Sequence, residues 1–510
     1  MAIQSRVKKS LLNARVNLIF YVLVLFITFF SRRLFLEKLG NEFIGMTSTL
    51  ANLLGLLNLA ELGVGTAVGY MLYKPLVKQE YEKTNEILSV FSFIYKCIGY
   101  VIIIAAFVLG LFLPIIFSKA PFSLSLIYFA YSSYIISALF SYFVNYRQLL
   151  LAADQCAYVV TAYYQTANIL RLVVQMLVLY KTNNPYYWIA LEILFSGIYS
   201  IILNHRINRF YPWLKVSRRN GKFLLKKYPQ LLRYTKQIFV HQLAGTVLFN
   251  LSPVFIYTYT SLTMVAYYTN YVIIFEKLRQ LVAQLLGSAD AGIGQLVAEG
   301  NRDKSFDVFN ELFAVRYFVA GVVIAGLWYA ITPFIVLWLG KEYLLSDLTL
   351  LILLINFFLL LTRSTVDSFI SAYGLFYDVW APLTEAILNV GISIVGGIWF
   401  GLNGVLLGST FSMLLIIGIW KPYFLFRKGL EKPVWCYWRN LFGKVLLIVI
   451  GGGIIEIVKK TFITMDPTRD YLSWFLYAFI ITSSYAIVLF GLMCCFTHSM
   501  RSFVKRFIRF

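Results

Sequence analysis

Long apolar stretches separated by short polar connections set the pattern of this chain. A helix needs about 20 residues to cross a bilayer, and on that measure the pattern predicts about fourteen membrane helices. Their predicted limits are 16–36, 44–70, 87–117, 123–149, 158–180, 186–204, 237–259, 262–287, 308–338, 347–374, 379–400, 402–425, 442–462 and 471–497. The connections on one side of the predicted membrane are all short, so no folded domain is expected there. The pattern therefore predicts an all-α polytopic membrane protein.

Composition and charge support this prediction and add an orientation. The chain is 60% hydrophobic and 13% charged, whereas soluble domains average about 25% charged residues. Connections on one predicted side hold thirty of the 45 Lys and Arg residues, those on the other side hold nine, and six lie within spans. Since Lys and Arg accumulate in cytoplasmic loops, we expect both termini in the cytoplasm. The net charge of +22 then reflects membrane orientation and does not indicate nucleic-acid binding.

The segment Arg206–Lys236 contains ten basic residues and no acidic one. Our main interpretation is an anchor on an anionic lipid leaflet, and recruitment of acidic substrate headgroups is the alternative. The segment also follows six predicted helices, where a linker between two lobes belongs.

The two halves of the chain resemble each other weakly. Asn168 follows a short loop around Asp154, and Asn389 follows a similar loop around Asp378. Because six helices return the chain to its starting side, such lobes would form a parallel repeat, with a binding site at their interface. We predict an N-lobe at 1–212, a basic cytoplasmic linker at 213–236, a C-lobe at 237–428, and two further helices with a basic tail at 429–510.

Charged residues inside apolar spans predict the position of the site. The basic ones are Lys96, Arg171, Lys277, Arg279, Arg316 and Arg363. Each would cost about 2.5–3.5 kcal/mol facing lipid at the bilayer centre, so we expect them to face protein, water or substrate. Helical periodicity places Asn168 beside Arg171 and Glu385 beside Asn389. Such polar stripes in both lobes predict a shared hydrated cavity.

A structural explanation for these charges stays open. Helices also use ion pairs and hydrogen bonds to pack against one another. Glu276 could pair locally with Lys277 or Arg279, and Asp367 with Arg363.

One acidic residue, Glu61, lies inside the second apolar stretch. At 100° per residue it shares a face with Thr47, Asn58 and Gly65. We expect Glu61, together with Glu385, to couple the cavity to a cation or to hold one of its bases in place.

The chain offers little for enzyme chemistry. Its three histidines are His205, His241 and His498, and none has an acid–base or metal-ligand partner at useful spacing. The five cysteines lack metal-ligand spacing. We therefore expect no catalytic residues, no metal site and no cofactor, with Na⁺ or H⁺ coupling left open.

Several motifs in the first half resemble a known family. They are LG-x-E-x-x-G at Leu39–Gly45, AELG at Ala60–Gly63, YKP at Tyr73–Pro75 and LLLAADQ at Leu149–Gln155. Together they resemble polysaccharide-biosynthesis flippases, including O-antigen and capsule repeat-unit flippases, of the multidrug/oligosaccharidyl-lipid/polysaccharide (MOP) superfamily. The resemblance implies a two-lobed, MATE-like transporter of fourteen helices. It also implies flipping of undecaprenyl-pyrophosphate-linked oligosaccharides across the bacterial inner membrane by alternating access.

The residues themselves suggest how such a substrate would be held. Arginine forks bind phosphate, so we expect Arg171, Arg279 and Arg363 to bind the pyrophosphate, supported by Lys96 and Lys277. We expect the amides of Asn168 and Asn389 to contact the sugar.

The expected partners are a polyprenyl-pyrophosphate-linked glycan and membrane lipids, with a polysaccharide polymerase and a chain-length regulator as further candidates. We expect a monomer that binds no nucleic acid. The alternative function is a cation-coupled multidrug or small-molecule antiporter of the same superfamily.

Overall fold

The computed structural model describes residues 6–57, 64–228, 251–286, 293, 296–297, 299–375, 378, 380–462 and 464–508. Every regular element in those ranges is helical, and they contain no strand. The predicted all-α class is therefore confirmed.

The chain forms two compact units, Met1–Ala266 and Tyr267–Phe510. The described helices of the first unit are α1 Arg6–Leu39, α2 Asn41–Leu57, α3 Val64–Val77, α4 Tyr81–Ile116, α5 Leu124–Phe143, α6 Gln148–Ala153, α7 Ala157–Thr182, α8 Pro185–Phe210 and α9 Arg218–Leu224. Residues 251–259 are also helical, and the boundary between the units falls within α10, Leu262–Leu286.

The second unit continues the helical pattern. Its further helices are α11 Arg302–Trp338, α12 Asp347–Thr362, α13 Ser364–Ala372, α14 Trp380–Met413, α15 Trp435–Phe462, α16 Tyr471–Phe496 and α17 His498–Ile508. After α14 the chain stays helical to Leu430, beginning with a π-helical stretch at Leu414–Trp420. These two units do not test the predicted limits of the lobes and the linker, which stay a prediction.

Within the described ranges, nine helices are long and apolar enough to cross a bilayer. One of them, Trp380–Leu430, has 51 residues, which is more than twice the length of one crossing. The protein is thus a multi-pass membrane protein. Several predicted limits agree with the structure within two residues, as at α7 and α16.

Helix α11 starts six residues before its predicted limit, at Arg302 instead of 308. Asn301 explains this start, because its side-chain oxygen accepts a hydrogen bond from the Lys304 N–H at 2.9 Å and caps the helix. Hydropathy does not detect a polar first turn, so it places such helix starts too late.

The described helices expose apolar side chains and bury polar ones. Phe30, Phe107 and Trp399 are 70% exposed or more, whereas Asn270 and Ser412 are 0% exposed. Lipid tails are as apolar as these aromatic side chains, so their exposure costs nothing in a bilayer, while buried polar groups join helices.

Helix α14 contains a sharp break at Gly401, where φ is 54° and ψ is −127°. This lies in the predicted gap between the spans 379–400 and 402–425. The two arms fold back on each other, because a Cβ on Gly404 would overlap the carbonyl of Gly396. Glycine is therefore required on both arms for this close helical hairpin.

Two of the family-like motifs have structural roles in the first unit. In LLLAADQ, Gln155 adopts a positive φ of 59°, and Asp154 Oδ2 accepts a hydrogen bond from the Tyr211 hydroxyl at 2.9 Å. Burial and the Asp154 carboxylate raise the pKa of that hydroxyl. In LG-x-E-x-x-G, a Cβ on Gly45 would collide with the backbone of Leu262. These motifs set turns and helix contacts.

Some predictions fall outside the described residues. Glu61, Asn58 and the whole AELG motif lie in 58–63, and the first part of the predicted seventh helix lies in 229–250.

Candidate substrate-binding clusters

The first unit brings together a basic, an acidic and an amide side chain between neighbouring helices. Arg171 on α7 forms an ion pair with Glu192 on α8 and donates a hydrogen bond to Asn168 Oδ1 at 2.7 Å. Tyr134 on α5 lies close enough to interact with both charges. The Arg171 side chain is 21% exposed, and its Nε has no acceptor among the described residues. One N–H of the guanidinium is therefore buried without an acceptor, and an anion could reach it only if the surrounding side chains moved.

Asn85, Ser89 and Lys96 form a polar stripe along one face of α4, and this stripe divides into two parts. Asn85 and Ser89 contact the segment that follows α8, because Asn85 Oδ1 accepts the Lys215 N–H at 2.9 Å and Ser89 Oγ accepts the Ser217 N–H at 3.0 Å. Lys96 lies 5.7 Å from the centroid of the Tyr100 ring, a cation–π distance. The first part of the stripe is therefore a contact within the unit.

The second unit contains a network of four charged side chains. Arg363 Nε donates to Asp367 Oδ2 at 2.9 Å, and Lys421 Nζ lies 2.6 Å from Asp367 Oδ1. Arg363 NH1 lies 4.0 Å from Glu385 Oε1. The network joins the α12–α13 break, α14 and the helix that follows it, and its two positive and two negative charges cancel. The sequence pattern identifies Arg363, Asp367 and Glu385 but not Lys421, which lies near the end of the predicted helix 402–425 and is counted with the connection that follows.

Glu385 is the least satisfied member of this network. Its side chain is 3% exposed, and no described group donates a hydrogen bond to Oε1. A buried carboxylate oxygen without a donor is costly, so this position favours a proton, a cation or a movement of Arg363.

The stripe predicted on the first arm of α14 faces the second arm. Asn389 is 1% exposed, and its Nδ2 donates to Ser409 Oγ at 2.9 Å. Ser393 Oγ donates to the Val405 carbonyl at 3.0 Å. In this structure Asn389 therefore joins the hairpin arms, and its predicted sugar contact stays a prediction.

The charges on α10 form a local pair. Arg279 donates to Glu276 Oε2 at 2.7 Å, and the two side chains are 43% and 35% exposed. Lys277, on a neighbouring face, is half-buried. The alternative of local pairing is thus observed for Glu276 with Arg279 as well as for Asp367 with Arg363.

Two further bases counted with polar connections are buried in helices. Lys421 is 13% exposed and Lys444 is 1% exposed. Both lie near one end of a predicted helix, within 402–425 and 442–462, so they are counted with the polar connection between those helices. No cluster of three His, Cys, Asp or Glu that could hold a metal ion occurs in the described ranges.

Comparison with solved structures places this geometry in a known architecture. The chain is similar to the lipid II flippase MurJ in an inward closed conformation, with a TM-score of 0.64 and 14% identity over 95% of this chain and 99% of that one. The two chains therefore share a fold. The chain is also similar to an inward-facing multidrug resistance MATE family transporter, with a TM-score of 0.61 and 13% identity over 83% of this chain and 99% of that one.

No family model matches the sequence, and no curated protein matches it either. One of these two solved structures is of a flippase and the other is of a transporter, and at 14% and 13% identity they show that this chain shares their fold.

Proposed function

We propose that this protein flips undecaprenyl-pyrophosphate-linked oligosaccharides across the bacterial inner membrane for O-antigen, capsule or exopolysaccharide assembly. The proposal rests on the Arg363 network. In this network two carboxylates hold two bases among apolar helices, and an anion can replace those carboxylates. A pyrophosphate offers the paired oxygens that a guanidinium fork binds.

The geometry of Arg363 suits such an exchange. Its Nε is engaged by Asp367 at 2.9 Å, whereas NH1 is 4.0 Å from Glu385, which is too long for a hydrogen bond. A phosphate oxygen can therefore take the NH1 side of the fork before the Asp367 contact breaks. Lys421 then keeps Asp367 neutralised. The cost of exposing an unpaired charge is avoided at each step.

Arg171 and Arg279 offer similar chemistry in less buried surroundings. Arg171 has a buried N–H without an acceptor among the described residues and an adjacent Asn168 amide, a combination suited to a phosphate beside a sugar hydroxyl. Arg279 is 43% exposed and can leave Glu276 at little cost. We propose that both bind the pyrophosphate, with Lys96 and Lys277 adding positive charge.

Chain length favours the flippase over the antiporter. The MATE transporter is matched over 99% of its length yet covers only 83% of this chain, whereas the lipid II flippase covers 95%. We further propose that the protein acts as a monomer with both termini in the cytoplasm, beside a polymerase and a chain-length regulator.

The test uses a deletion strain of the host complemented with single variants. Arg279→Gln and Arg363→Gln should each abolish surface polysaccharide, and lipid-linked glycan should accumulate on the cytoplasmic leaflet. Arg469→Gln is the matched control, since Arg469 is 82% exposed. Protein amount in the membrane is measured by immunoblot for all variants. Wild-type polysaccharide from both test variants, at equal protein amount, would exclude these arginines and the proposed substrate.

A cation-coupled multidrug antiporter is the second candidate, and buried Glu385 favours it. Its Oε1 receives no hydrogen bond from a described residue, and a carboxylate oxygen of this kind takes up a proton or a cation. Glu385→Gln should then abolish efflux of a cationic dye driven by a Na⁺ or H⁺ gradient. If no gradient drives dye efflux by the wild type, the antiporter function is excluded.

A further inference from the structure

The second unit contains a basic pocket that is separate from the Arg363 network. The pocket has a volume of about 870 Å³ and is lined by residues of α11, α15 and α17, together with the end of α16. Four bases line it, Arg439, Lys444, Lys505 and Arg506, against two acids. We propose that this pocket binds the phosphate group of an anionic phospholipid.

The pocket contains a buried ammonium group that has no counter-ion in the described part of the chain. Lys444 is 1% exposed, and its Nζ lies 4.9 Å from the centroid of the Phe313 ring. No carboxylate among the described residues lies within ion-pair distance of it. A buried ammonium is costly without an anion, and a phosphate in the pocket supplies one.

The remaining charges of the pocket do not balance. Arg506 is already used, because its NH2 lies 3.1 Å from Glu311 Oε1. This leaves Arg439, Lys444 and Lys505 against Asp307, an excess of positive charge. Arg439 makes no hydrogen bond or ion pair with any described residue, so its fork is free to bind phosphate oxygens.

The position of the pocket along the helices favours a lipid over a soluble phosphate. Helices α11 and α15 begin beside the pocket and α16 ends there. With 37 residues, α11 is about 55 Å long, so its first turns extend beyond the hydrocarbon, where headgroups lie. Phe496 also lines the pocket and is 72% exposed.

An apolar track on α15 leads away from the pocket. Leu446 and Ile450 lie seven and eleven residues after Arg439, on the same helical face, and they are 59% and 42% exposed. Acyl chains can therefore follow this face while the phosphate occupies the pocket.

The experiment uses the full-length protein in phosphatidylcholine nanodiscs that contain a minor fraction of phosphatidylglycerol. Native mass spectrometry after release counts the phosphatidylglycerol molecules retained per protein. The test variant is Arg439→Gln with Lys505→Gln, since both residues are exposed and their loss should not disturb folding. The matched control is Lys459→Gln with Lys460→Gln, which removes two charges at the other end of α15.

We expect wild type and control to retain one phosphatidylglycerol more than the test variant. Lys444→Met should lose the same lipid, with a thermal midpoint that no longer depends on phosphatidylglycerol. If all four proteins retained the same number of phosphatidylglycerol molecules, the proposed lipid site would be wrong. If millimolar inorganic phosphate stabilises the wild type and phosphatidylglycerol does not, the lipid assignment is overturned. The flippase proposal does not depend on this result, since the polysaccharide phenotype of Arg363→Gln tests that separately.

Discussion

Arg363 and Arg279 present the same signal in the sequence, an arginine within an apolar span, and the structure places them in different surroundings. Arg363 is 24% exposed and belongs to a network that joins several helices, whereas Arg279 is 43% exposed and, within the described part of the chain, pairs with Glu276 on its own helix. The first arrangement ties its unit together. The second can be removed with little effect on folding. A loss of transport on changing Arg279 therefore reports on substrate, while a loss on changing Arg363 also includes stability.

The largest expected effect is that of Asp367→Ala. It leaves Arg363 and Lys421, which are 24% and 13% exposed, without their shared carboxylate, and the cost approaches the roughly 3–5 kcal/mol of breaking a fully buried pair. Thermal unfolding in detergent measures the change, and Glu276→Ala on α10 is the control. If both variants lowered the midpoint equally, the contrast between the two arginines would be wrong.

A smaller loss is expected when the α14 hairpin is overpacked. Gly404→Ala places a methyl group against the Gly396 carbonyl, and such overpacking costs about 1–3 kcal/mol. Gly453→Ala serves as control, because a Cβ at Gly453 meets no atom within 4 Å and alanine favours helix. The unfolding midpoint should fall for the first variant and hold or rise for the second. A Gly404→Ala protein as stable as wild type would contradict the close packing of the arms.

The Arg171–Glu192 pair should show a measurable coupling energy. Side chains in direct contact couple by about 0.5–3 kcal/mol in double-mutant cycles. The cycle consists of Arg171→Gln, Glu192→Gln and the double variant, with unfolding free energy as the readout. Additive effects of the two changes would show that the pair contributes nothing to the first unit.

The smallest effect belongs to Glu276→Gln. Exposed pairs of this kind contribute about 0.2–1 kcal/mol, so the unfolding midpoint should stay close to that of wild type. A shift as large as that of Asp367→Ala would mean that Glu276 has a second, structural partner.

The sequence predicted the helical pattern and the local pairs, because both follow from periodicity. Asp367 lies four residues after Arg363 and Glu276 three before Arg279, so each pair shares a helical face. The partners Lys421 and Glu192 come from other helices, 54 residues from Asp367 and 21 from Arg171. Periodicity shows that a face is polar and does not show which helix covers it.

Asn389 shows the same limit of periodicity. Its polar stripe predicted a cavity wall, and the structure places it against Ser409 in the α14 hairpin. Lys444 is a related case, because it lies only two residues after the predicted helix start at 442, whereas the helix begins at Trp435 and carries Lys444 well inside it.

The most direct test of the central claim is transport by Arg279→Gln in reconstituted vesicles. The protein is reconstituted with a fluorescent undecaprenyl-pyrophosphate oligosaccharide from the host, and a membrane-impermeant quencher reports its transbilayer movement. Since a hydrogen bond to a charged group contributes about 1.5–3 kcal/mol, the variant should flip the substrate about tenfold more slowly or worse, with an unchanged unfolding midpoint. Wild-type flipping by this variant, or none by the wild type itself, would contradict the account.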